Sequence, residues 1–100
     1  MPLAIRVTRR AERDLIGIAR YTRQTWGAEQ RNRYMAALDA RFGWLAANPG
    51  IGRDRSDIRA GFRSFPEGQH VIFYRVAADA IEIIGVVHRA RDLPGALTAP

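Results

Sequence analysis

Residues 69–87 read Gln69-His70-Val71-Ile72-Phe73-Tyr74-Arg75-Val76, then Ala77-Ala78-Asp79-Ala80, then Ile81-Glu82-Ile83-Ile84-Gly85-Val86-Val87. Two runs rich in β-branched and aromatic residues, parted by a small turn, predict a β-hairpin. With a two-residue turn at Ala78-Asp79, Arg75 stands opposite Glu82, Phe73 opposite Ile84 and Val71 opposite Val86. The other face then carries Ile72, Tyr74, Val76, Ile81, Ile83 and Val87. It holds no charge, so it is assigned to the core. Phe62 to Phe65 supplies a third strand, joined through Pro66-Glu67-Gly68. If that three-residue turn pairs Phe65 with Gln69, Arg63 joins Arg75, Glu82 and His88 on the open face; a bulge at Gly68 spoils the register.

Upstream of the strands the apolar period changes. Ala11, Leu15, Ile18, Thr22 and Trp26 recur every three or four residues and write one face of a helix that Thr8 can cap. Gly27 is suited to end it. Arg31, Tyr34, Met35, Leu38, Phe42 and Leu45 then mark a second helix, which Asn48-Pro49-Gly50 stops. A connection of one glycine makes the pair an antiparallel hairpin. Leu3 to Val7 alternates as a short first strand, Gly50 to Ala60 reads as a surface loop, and residues 89–100, with two prolines, as a weakly ordered tail. The expected fold is a single α+β domain over residues 1–100, ordered β-α-α-β-β-β. Its helical hairpin packs on one face of a small, mainly antiparallel sheet.

The composition excludes several classes. One hundred residues suffice for one domain, and 47% hydrophobic with 26% charged residues is globular rather than disordered. No apolar run approaches the roughly 20 residues of a membrane span and no secretory leader is evident, so a cytoplasmic protein without membrane contact is expected. With no cysteine and two distant histidines, neither disulfide, thiolate chemistry, metal site nor cofactor is expected. Sixteen basic against ten acidic residues leave a net charge of +6, which favours an acidic partner. All sixteen are arginine; alanine is equally abundant, so a GC-rich coding bias accounts for the missing lysine.

A longer pattern runs through these elements: Ala11-x-x-Asp14-Leu15-x-x-Ile18-x-x-Tyr21, Trp26-Gly27, Tyr34, and Leu45-Ala46-x-x-Pro49-x-x-Gly52-Arg53. It continues as Gly61-Phe62-Arg63, His70-x-Ile72-x-Tyr74-Arg75 and Ile83-x-x-Val86-x-His88. No single piece is distinctive, but the ensemble, in order over roughly residues 5–93, resembles the ParE branch of the RelE/ParE superfamily of bacterial type II toxins. That resemblance implies the fold above and a cognate ParD-like antitoxin whose acidic C-terminal segment wraps the toxin. It also implies that operator DNA is reached only through the antitoxin. ParE relatives are associated with poisoning of DNA gyrase, RelE relatives with ribosome-dependent mRNA cleavage. A third possibility is an inactive toxin-like protein that only binds antitoxin.

Cleavage by an attacking 2′-hydroxyl needs a base, an acid and cations for the developing charge. Arg63 and Arg75 could clamp the phosphate and His88 could serve as acid or base. RelE-like nucleases often place a tyrosine or a further basic residue near this point, whereas Arg89-Ala90-Arg91 follows His88 and lysine is absent. The pattern therefore departs toward ParE, for which no catalytic residue is expected. Arg53, Arg55, Arg59, Arg63 and Arg75 are then candidates for a basic surface that meets gyrase or DNA near it. Each has a plainer reading. Pro49-x-x-Gly52-Arg53 is a helix stop and turn, Arg75 and Glu82 a cross-strand ion pair, and His88 a surface residue. Trp26, Tyr34, Phe42 and Trp44 are hairpin packing.

Overall fold

Thr8 ties the first strand, β1 (Ala4–Val7), to the first helix, α1 (Arg9–Trp26). Its hydroxyl oxygen accepts from the Ala11 N–H at 3.1 Å, satisfying one orphan donor of the first turn, and its hydrogen is shared between the carbonyls of Ile83 and Ile84. Gly27, at φ 95° and ψ 170°, turns the chain into α2 (Ala28–Ala47) within one residue. The strands that follow are β2 (Arg53–Asp54), β3 (Phe62–Glu67), β4 (His70–Val76) and β5 (Ala80–His88), then a 3₁₀ turn, Arg89–Arg91. The structure is a computed structural model that describes residues 2–92.

The sheet has five strands in the order β1-β5-β4-β3-β2, antiparallel except for β1, which runs parallel to β5. The helical hairpin covers one face. Its core joins Ala11, Ile18, Leu38, Phe42, Leu45 and Ala46 to Ile72, Tyr74, Ile81, Ile83 and Val86. The expected elements are present, and Arg75 does stand opposite Glu82.

Three registers differ from expectation. In the β4-β5 hairpin Tyr74 pairs with Ile83 but Phe73 with Gly85, so Ile84 is an extra residue. The bulge reverses the alternation beyond it. Val71 therefore meets Val87, and Val86 rather than Val87 enters the helix-side core. In the second case the β3-β4 turn is two residues, Gly68-Gln69, with Gly68 at φ 56°; Glu67 pairs with His70 and Arg63 with Tyr74. Arg63 thus lies on the helix side and not beside Arg75. Finally, the segment read as a loop contributes β2, an edge strand pairing Arg53 with Ser64 and Asp54 with Arg63. Trp26, expected in the hairpin core, is 70% exposed, and Val76, at its strand end, is exposed too.

The second face of the sheet is partly covered. Phe73 is fully buried there, under the Arg55 guanidinium, which lies 5.0 Å above its ring. Part of the expected tail is tied down at the same place: Arg89 donates its backbone N–H to Gln69, and Asp92 accepts from Arg55. Residues 93–100 of that tail lie outside the described residues.

Candidate functional site

β1 accompanies β5 only as far as the pair Val7 and Ile83. Beyond it the outer edge of β5 is left without a strand, and α1 supplies side chains instead. Asp14 Oδ2 accepts the Val86 N–H at 2.9 Å and the Arg10 Nε–H at 3.3 Å. That substitution blunts an edge that would otherwise invite strand pairing. Beside this tether a groove of about 1320 Å³ opens between the helix, the start of α2 and the β4-β5 end. Ile18, Thr22, Val86 and Val87 line it with apolar atoms, whereas Arg10, Arg13 and Arg91 make it basic; His70 and His88 also line it. Tyr21 and Trp26, 63% and 70% exposed, stand along it. Among the described residues that line it, Asp14 alone is acidic.

At the sheet end of the groove Tyr34 organises the β3-β4 turn. Its oxygen accepts from the Gln69 N–H at 3.1 Å, and its one proton is directed at the Glu67 carbonyl, 3.1 Å away, or at His70 Nδ1, 2.5 Å away. The ring passes so close to Gly68 that a Cβ there would lie 2.6 Å from it, a second reason for glycine at this positive φ. Burial raises the Tyr34 pKa above its ordinary 10.0, the Glu67 charge adding to the effect against the backbone N–H donors of Gln69 and His70. Burial also holds the half-buried His70 below its ordinary 6.5; His88, with rings 5.7 Å apart, acts in the same direction and Asp14 in the opposite one. The His88 Nδ1 accepts from the Ala90 N–H, which starts the 3₁₀ turn.

The residues singled out from sequence do not gather here. Arg63 donates to the carbonyls of Gly50 and Gly52 at 3.4 and 2.9 Å, bracing the loop after α2. Arg75 lies on the opposite face in an ion pair with Glu82, as the plainer reading had it. His88 is at the other end of β5, in the groove. Arg53 and Arg59 are exposed, but Arg55 is buried, so it belongs to no accessible basic surface. Its Nε and Nη2 bind both oxygens of Asp57 at 3.0 Å and its Nη1 binds Asp92 at 2.6 Å. The groove itself was missed as a site, although Asp14, Tyr21, Trp26, Tyr34 and His70 all stand in the quoted pattern. No group of three or more His, Cys, Asp or Glu able to hold a metal occurs among the described residues, and none of their helices is long and apolar enough to cross a membrane.

A helical hairpin on one face of such a sheet is the RelE/ParE toxin fold. The chain superposes with a TM-score of 0.73 on a chain of the chromosomal ParDE toxin-antitoxin system from P. aeruginosa, at 22% identity over 86% of this chain and 95% of that one. For the RelBE2 toxin-antitoxin complex from Mycobacterium tuberculosis the TM-score is 0.66 at 26% identity, over 89% and 100%. Residues 5–93 match the family described as ParE toxin of type II toxin-antitoxin system, parDE. Toxin ParE1 of Caulobacter vibrioides is 42% identical over 87 residues, 87% of this chain and 90% of that protein. The chain belongs to the ParE toxin family of type II toxin-antitoxin systems.

Proposed function

We propose that this toxin acts in the cytoplasm on DNA gyrase, and that a ParD-like antitoxin neutralises it by laying its acidic C-terminal segment in the groove along α1. The observation that carries the antitoxin reading is the groove itself, apolar within, basic at the rim and flanked by two exposed aromatic rings. An extended or helical segment that orders on binding would bury those rings while its carboxylates meet Arg10, Arg13 and Arg91. Sequence-specific contact with operator DNA is left to the antitoxin.

Gyrase as target rests on membership of the ParE family together with the separation of Arg63, Arg75 and His88, which share no phosphate-sized space. The exposed arginines Arg53, Arg59 and Arg75, with the half-buried Arg63, would contribute basic target contacts. Gyrase passes DNA through a transient double-strand break, so a toxin that stabilises the broken state yields linear plasmid. The test combines purified toxin, gyrase, ATP and supercoilable plasmid. Linear product or blocked supercoiling is expected. Unchanged supercoiling and no linear product at large molar excess of folded toxin would remove the gyrase assignment, and codon-specific message cuts that vanish in His88→Ala would transfer it to the ribosome.

A further inference from the structure

On α1, Arg9, Arg13, Ile16, Arg20 and Arg23 follow at intervals of four, three, four and three, so they share one face. That face is opposite Ala11, Ile18 and Thr22, and all five residues are exposed. Its four arginines make no ion pair with any described residue. Only Glu12 flanks the row, since Asp14 is committed to Val86 and Arg10. Arg31 of α2 joins Arg20 and Arg23 around a shallow depression floored by Ile16 and Ala19.

Arginines at i,i+4 and i,i+3 repel and weaken the helix they decorate. The second helix shows the ordinary remedy, an Arg33 to Glu29 ion pair. Leaving the α1 row uncompensated makes sense where a polyanion supplies the missing charge. The row spans 14 residues, about 21 Å at 1.5 Å per residue. That length covers about six base-pair steps of duplex DNA. An acidic peptide would want apolar anchors, and the face offers only Ile16 and Ala19; a single strand would want aromatic platforms, and it offers none.

We infer that the outward face of α1 is a binding rail for the phosphate backbone of duplex DNA, without sequence preference, which touches the groove only through Arg13 at the shared rim. This goes beyond the gyrase reading, because it requires neither gyrase nor antitoxin. Guanidinium groups in fixed succession along a rigid helix would hold the toxin against DNA while the rest of its surface stays available.

The test is fluorescence anisotropy of a labelled duplex of about 25 base pairs with toxin alone, in salt from about 50 to 200 mM. Four phosphate contacts give a slope of log K against log salt of about −3 to −4. Arg20→Gln with Arg23→Gln should reduce that slope by about 2 and weaken low-salt affinity at least about tenfold, whereas the equal charge change of Arg6→Gln with Arg89→Gln, at exposed arginines away from α1, should leave both unchanged. Circular dichroism controls for folding. The inference is overturned if no saturable binding occurs at the lowest salt or if the α1 double variant matches the parent. Equal loss in the Arg6 and Arg89 variant, or tighter binding of oligo-dT, also overturns it. Gyrase is absent from this measurement, so its failure leaves the gyrase assignment to the supercoiling assay.

Discussion

Arg55 adds one charge to the sequence's surplus and none to the accessible surface. Two carboxylates and the face of Phe73 enclose it, and the Asp57 and Asp92 contacts hold its pKa above even the ordinary arginine value against the opposing effect of burial. Replacing it by Gln removes the charge-assisted bonds to Asp57 and Asp92 and leaves both carboxylates without their cation; a loss of about 2 kcal/mol is expected, read as a lower urea midpoint with unchanged slope. His70 makes a prediction of opposite character. Its folded pKa lies below 6.5, so the unfolded chain binds more protons around and below that value. Stability is fully present above about pH 6.5 and declines as pH falls through the depressed pKa. The melting temperature should therefore rise from about pH 5 to 7, and His70→Gln, whatever its own cost, should flatten that rise. An equally steep profile in the variant would place the titration elsewhere.

At the scale of elements, β2, two residues long, is too short to show an apolar period and reads as loop, whereas the two helices and the strands β1, β3, β4 and β5 were legible from theirs. Their registers were less so. The Ile84 bulge has no local signature: Ile83-Ile84 reads equally well in either alternation, and only packing of Val86 against α1 decides it. The Gly68-Gln69 turn is similar, because Tyr34, 34 positions earlier than Gly68, selects it. Asp14 could be seen in the quoted pattern, but its acceptor role at Val86 depends on a contact 72 residues away. The inter-helix joint was readable from Gly27 alone. Its φ of 95° with ψ of 170° belongs to a region open essentially only to glycine, while no atom stands within 4 Å of where a Cβ would go. Gly27→Ala should thus cost about 1 to 3 kcal/mol through backbone strain alone. Thermal melts of this variant beside Gly17→Ala separate the causes, since Gly17 has equal space and lies within the helix, where Ala is favoured by about 1 kcal/mol. Similar shifts in both would exclude strain at Gly27.

Across the whole molecule, α1 presents three faces with different surroundings. α1 turns Ala11 and Ile18 to the sheet, Asp14 and Tyr21 to the groove, and its arginine row outward. Tyr21 and Trp26 stabilise the free toxin little, being largely exposed, yet they are the large amphipathic side chains that dominate binding when a partner desolvates them. Each single change to Ala is expected to weaken antitoxin affinity by about 2 kcal/mol, some thirtyfold, mostly through faster dissociation. The melting temperature of the free toxin should move little, because exposed substitutions usually stay within about 0.5 kcal/mol. Arg13→Gln, at the rim, should instead slow association and reduce its salt dependence. Surface plasmon resonance with immobilised antitoxin distinguishes these effects in one series. If all three variants bind like the parent while remaining folded, the acidic segment lies elsewhere than the groove, and the exposed rings of α1 need another occupant.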